Sequence, residues 1–120
     1  MSNQQLIQET LDSLQEFLPK IADTCLLVAD QLRKDNESEA FHHIKEFIEA
    51  IDWSTQAVVG IKNLGYSLNV DTQEINEHLR EVEDGLSVND QVLIADLFEY
   101  EFHPKIQDWI NSVNNSRANA

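Results

Sequence analysis

Ile7, Leu11, Leu14, Leu18, Ile21, Cys25, Val28 and Leu32 recur at alternating spacings of four and three, eight apolar positions without a break. Side chains so spaced share one face of an α-helix. Pro19 lacks an amide hydrogen and interrupts the hydrogen-bond ladder but not the stripe, so the pattern predicts one proline-kinked helix over about residues 3–34. The polar stretch Lys34-Asp35-Asn36-Glu37-Ser38 ends it, with Asn36 and Glu39, or Ser38, able to cap a second helix. Phe41, Ile44, Ile48, Ile51, Thr55 and Val58, widened by Phe47 and Ile61, carry that helix over about residues 38–64, and Gly65 is positioned as its left-handed cap.

A third, shorter helix over about residues 72–84 is predicted from Asp71 and Glu74 as a capping box, from Ile75, Leu79, Val82 and Leu86, and from Gly85 as its terminator. Asn89 or Ser87 then caps a fourth. Its segment Val92–Phe102 is apolar round most of its circumference, and the stripe Phe102, Ile106, Trp109, Val113 continues past Pro104. These elements predict an all-α fold, an antiparallel four-helix up-and-down bundle with proline-kinked first and last helices, in one domain over residues 1–113. Residues 114–120 read as a flexible, polar C-terminal tail. The segments EFLPKIAD (16–23) and EFHPKIQD (101–108) agree at six of eight positions, which would place matched bends in the two long helices.

With 120 residues, the chain suits a single core, with an expected radius of gyration of roughly 13–14 Å. Twenty-two acidic against eight basic residues give a net charge of −14, and residues 71–108 carry eleven acids against Arg80 and Lys105. Such a field repels phosphate backbones and anionic lipid, so neither nucleic acid nor membrane is an expected partner. A basic one is. The lone Cys25 rules out an internal disulfide framework, and Met1-Ser2-Asn3-Gln4-Gln5 lacks the opening of a secretion signal, so the expected setting is cytoplasmic.

Chemistry is sparse. Glu39/His43, Glu74/His78 and Glu99/His103 are i,i+4 pairs of the kind that decorate exposed helices, and Glu39/His42 gives a single Glu-x-x-His element where a di-metal bundle needs two. Asp96, Glu99 and His103 fall along one strip that could bind a single metal, which makes a metal-binding bundle the third reading. His42-His43-Ile44-Lys45 resembles the His-x-hydrophobic-Lys part of histidine phosphotransfer domains, themselves acidic four-helix bundles. That resemblance implies His42 as an exposed phosphoacceptor with Lys45 one turn on, although Glu46 stands where the family has glycine and would repel phosphate. Cys25 sits in the core stripe with no activating base beside it, and no Gly-rich loop, HExxH or paired Cys-x-x-Cys motif is present. No cofactor is implied.

The stretch VLIADLFEYEFHPKIQDW (92–109) is similar to a segment of small uncharacterised bacterial helical proteins of unknown function, which implies a bacterial helical bundle and no activity. The remaining signal is apolar surface. Helix four needs more cover than a short third helix supplies, and Trp53 lies about 200° around its helix from Ile51. The expectation is therefore a non-catalytic adaptor or chaperone-like interaction module, a homodimer, that buries a partner's amphipathic helix, with basic residues at its edge, against Leu93, Leu97, Phe98, Tyr100, Phe102 and Trp109, with Trp53 as a further contact. Phosphotransfer through His42 with Lys45 is the alternative.

Overall fold

The computed structural model describes residues 2–118, and every regular element among them is helical. The elements are α1 (Asn3–Arg33), α2 (Glu37–Asn63), α3 (Glu74–Ser87), α4 (Gln91–Asp96) and α5 (His103–Ala118), and a π-helical turn, Leu97–Phe102, joins α4 to α5 without a gap. The chain thus forms four helical bodies, the last of irregular pitch. The molecule measures 47 × 22 × 20 Å with a radius of gyration of 15.3 Å, larger than the sequence estimate. Helix length is the cause: 31 residues at 1.5 Å each span about 46 Å, and α1 runs the whole length.

α1 forms as the stripe predicts. Ser2 Oγ accepts from the Gln5 amide at 3.1 Å to cap its start, and Leu11, Leu14, Leu18, Ile21, Cys25, Val28 and Leu32 are buried. One flank packs on α2, the other on α4, the π turn and α5, while α3 packs on α4 and the π turn. α2 turns inward the expected face, rotated towards Phe47: Ile44, Phe47, Ile51, Val58 and Ile61 are buried as expected, with Ala40 and Ser54 in place of Phe41 and Ile48. Those two lie at the edge, about two-fifths exposed. Phe47 sets this rotation, because its ring stands 4.9 Å from both Phe98 and Phe102. Gly65 takes the expected left-handed conformation, φ 93°.

The helix boundaries after residue 70 differ from expectation. Asp71 Oδ1 accepts from the Gln73 amide, a local turn, so α3 begins at Glu74. α3 then runs through Gly85, which does not terminate it; Gly85 is buried where a Cβ would meet Ile94 Cγ1 at 2.9 Å. The left-handed residue is Asn89, φ 55°, and Asp90 caps α4 by accepting from the Leu93 amide at 3.0 Å. The expected tail is helical as far as Ala118. Asn114 accepts from Gln15, Tyr66 donates to Ser116, and Arg117 donates to Gln8, Asp12 and Gln15. Asn119 and Ala120 lie outside the described residues.

The π turn explains the unusual apolar girth of residues 92–102. Ile94, Phe98, Phe102 and Ile106 are all buried at three successive spacings of four, which would drift about 120° round a regular α-helix. Widening one turn takes up the extra residue, and His103 donates to Phe98, five residues back. Pro104 follows at once. Its ring would crowd the carbonyl four residues earlier in a regular helix, so the wide turn sits where the proline needs room. The two similar octapeptides have unlike surroundings: Phe102 is fully buried and Phe17 is 45% exposed.

Candidate interaction surface

Most of the aromatic and aliphatic residues expected to face a partner from helix four are interior. Leu97, Phe98, Phe102 and Trp109 are at most 4% exposed and belong to the core, and Leu93 is half-buried against it. Their cover comes from α1, from Phe47 on α2 and from α3, which packs on α4 and the π turn; Leu68 and Val70, between α2 and α3, are buried in the same core. Only Tyr100, 64% exposed, and Trp53, 42% exposed, remain on the surface.

Trp53 has company. On α1, Leu6, Thr10, Ser13, Phe17, Lys20 and Thr24 follow one another at spacings of three and four, a second stripe beside the core stripe. Ala50, Trp53, Ala57 and Gly60 of α2 and its capping residue Leu64 do the same. Between these stripes runs an open depression of about 600 Å³ whose walls include Leu6, Trp53 and Leu64 and whose small members are Thr10, Ser13, Ala57 and Gly60. A separate, smaller depression of about 150 Å³ lies further along the same two helices, lined by Phe17, Ile21 and Ala50 among others. Between the two, Phe17 of the smaller and Trp53 of the larger pack edge to face with ring centroids 5.5 Å apart. An aromatic pair of this geometry is worth about 0.5–1.5 kcal/mol beyond its burial, and it holds both rings in place although each remains above 40% exposed. Lys20 lies 5.4 Å from the Phe17 ring centroid and 3.9 Å from Glu16.

Apart from Lys20, the charges along this face are acidic. Glu9, Glu16 and Asp23 recur every seven residues along exposed α1, and Glu46 is exposed on α2 beside the smaller depression. A second apolar depression, about 340 Å³, lies where Phe41, Ile44 and Ile48 of α2 meet Leu86 of α3. Phe17 and Leu6 do not stand out in the sequence because the longer core stripe runs beside them on the same helix. The signal was there in the parallel series Leu6-Thr10-Ser13-Phe17, which polar and small residues dilute.

The chemical candidates are placed as follows. His42 is exposed on α2, but its Nε2 lies 2.9 Å from Glu46 Oε1, so the atom that would take up phosphate faces a carboxylate. Lys45 is exposed one turn on. The strip Asp96, Glu99, His103 does not converge for a metal: Arg33 at the end of α1 donates to Asp96 and Glu99, each at 3.0 Å, and among the described residues no three His, Cys, Asp or Glu side chains form a metal-sized cluster. Tyr100 and the Arg33 guanidinium hold the Glu99 carboxyl below its ordinary range, and Glu99 with Asp96 holds Arg33 above its own. This is a tie between α1 and the π turn. Burial pushes the Cys25 thiol up to about 12, far from a reactive thiolate. His43 Nδ1 pairs with Gln31 Oε1 at 2.9 Å beneath the α1–α2 connection, and Lys105 pairs with Glu74, joining α5 to α3.

One family model, described as a domain of unknown function (DUF8042), matches residues 9–112. No curated protein and no solved structure matches the chain. The matched span takes in both stripes of the α1/α2 face except Leu6.

Proposed function

The chain belongs to the family of the domain of unknown function DUF8042, so its role has to be argued from the fold, and we propose that it is a non-catalytic protein-interaction module whose working surface is the α1/α2 face. The observation that carries this is the Phe17–Trp53 pair, two large rings ordered by each other yet exposed between two depressions. Monomeric proteins seldom spend aromatic surface this way without a use for it. In this reading the helices form an antiparallel up-and-down bundle. Arg33, at the end of α1, reaches Asp96 and Glu99 near the start of the last helix, and Arg117, at its end, reaches Gln8 and Asp12 near the start of α1, which supports opposed directions. The bends assigned to Pro19 and Pro104 are supported by the amide hydrogen each lacks and, at Pro104, by the adjoining π turn.

The same geometry weighs against phosphotransfer, since Glu46 occupies the approach to His42 Nε2, and against a metal site at Asp96 and Glu99, which Arg33 neutralises. The test is position-specific photo-crosslinking in cells that express the protein. A photoreactive residue in place of Ala57, within the groove, is expected to give a discrete adduct, whereas one in place of Arg80, exposed on α3, is not. Equal labelling from both positions, or none from position 57, would overturn the assignment of the surface.

A further inference from the structure

We propose that the occupant of the α1/α2 groove is an amphipathic helix of another protein, with an apolar stripe flanked by lysine or arginine; this rests on the reading of that face as the working surface. Three properties of the groove define the partner. The two depressions, one on either side of the Phe17–Trp53 pair, together extend from Leu6 to Thr24 along α1, about 27 Å at 1.5 Å per residue, the reach of a helix of about 18 residues. The floor of the larger is built from small side chains, Thr10, Ser13, Ala57 and Gly60, and nothing stands within 4 Å of where a Gly60 Cβ would be. Low floors between two helices let the ridge of a third approach closely. The Phe17–Trp53 pair crosses the path midway and provides the large apolar contact on which helix-in-groove binding concentrates its affinity.

Charge then selects among occupants. Glu9 lines the larger depression and Glu46 the smaller, Glu16 and Asp23 stand exposed further along α1, and Lys20 is engaged by Glu16 and the Phe17 ring. A second copy of this chain would bring the same acidic edges against these, and a like-charge juxtaposition opposes pairing. An anionic bilayer meets the same repulsion. A helix edged with lysine or arginine is attracted by these carboxylates, which steer its approach and favour one register. With an overall charge of −14, the long-range field points the same way.

The test uses the full chain and two synthetic 18-residue helices with the same leucine stripe, one edged with lysine and one with glutamate, measured by titration calorimetry at low and moderate salt. The lysine-edged helix is expected to bind with one-to-one stoichiometry, and the glutamate-edged one not. Gly60→Trp, which fills the groove without altering charge, is expected to weaken binding at least tenfold while circular dichroism shows an unchanged helical fold. The triple variant Glu9→Gln, Glu16→Gln, Glu46→Gln is expected to lose about fivefold, the sum of three weak exposed pairs, and to flatten the salt dependence. Neutralising Glu77, Glu83 and Asp84 on α3 should leave affinity within about twofold. Equal binding of both helices, or binding that survives Gly60→Trp but is lost when the α3 acids are neutralised, would overturn the proposal. Self-association in sedimentation experiments that Gly60→Trp abolishes would also overturn it, by making the occupant a second copy. A position-57 adduct in cells together with indifference to the lysine edge would sink the basic partner and leave the surface standing; absence of both would sink the two together.

Discussion

Gly60 and Gly85 are both helical glycines, and their surroundings make opposite demands. No atom lies within 4 Å of a Cβ built on Gly60, so alanine there gains helix propensity at no steric cost. A Cβ on Gly85 would come within 2.9 Å of Ile94 Cγ1 and 3.4 Å of its Cδ1, in the contact between α3 and α4. Gly60→Ala is therefore expected to raise stability by about 0.5–1 kcal/mol, and Gly85→Ala to lower it by about 1 kcal/mol or more, overpacking outweighing the same propensity gain. Urea midpoints at constant slope measure both, and shifts of the same sign would show that the α3–α4 contact yields. Cys25 supplies a pH dependence. With no exposure and a thiol raised to about 12, the folded chain keeps its proton after the unfolded chain, near 9.0, has lost it. The unfolded state then binds fewer protons, so stability falls as pH rises from about 9 towards 12, by up to about 1.4 kcal/mol per unit. Comparing wild type with Cys25→Ala over that range isolates the contribution: the variant should show the shallower decline, and parallel curves would assign the decline to other groups.

At the scale of elements, regular periodicity was readable and its interruptions were not. The α1 stripe predicted a helix correct to one residue at its far end, because eight apolar positions in an unbroken three-four series admit one helical phase. The phase of α2 was ambiguous, since Phe41, Ile44, Phe47 and Ile48 offer two overlapping faces, and only the partner rings Phe98 and Phe102, some fifty residues away, select Phe47. The aromatic stretch of the last helix looked like a surface needing a partner because two offset core faces, separated by one inserted residue, together encircle the helix. Trp53 was legible as an outlier; its groove was not, because Thr10, Ser13, Ala57 and Gly60 matter there for what they lack. The π turn itself can be tested through Pro104. Deleting the exposed Tyr100 restores ordinary pitch without rotating Ile106 or Trp109 away from the core, but it places Pro104 inside a regular helix, at a cost of about 3 kcal/mol. In a Pro104→Ala background the same deletion should cost far less. A double-mutant cycle by chemical denaturation reads the coupling directly, and an equal cost in both backgrounds would separate the wide turn from the proline.

For the whole molecule the question is whether ion pairs or self-repulsion governs the response to salt. The cross-helix pairs of Arg33 with Asp96 and Glu99, and of Arg117 with Asp12, have partly exposed side chains, and pairs of this kind contribute about 0–1 kcal/mol each. Against them stands a net charge of −14 carried on a body only 22 × 20 Å across. At 0.01 M ionic strength the screening length of about 30 Å exceeds that cross-section, so carboxylates on opposite faces repel one another; at 0.15 M it falls to about 8 Å and only neighbours interact. Screening therefore removes many long-range repulsions for the few short-range attractions it weakens. The melting temperature is expected to rise by several degrees between 0.01 and 0.15 M sodium chloride and then level off, as thermal unfolding followed by circular dichroism would show. The same addition of salt should loosen a basic helix from the α1/α2 groove, because the acids that repel each other across the folded chain are the ones that would hold it. A melting temperature that falls with salt would mean that the Arg33 and Arg117 ties outweigh the field of the remaining carboxylates.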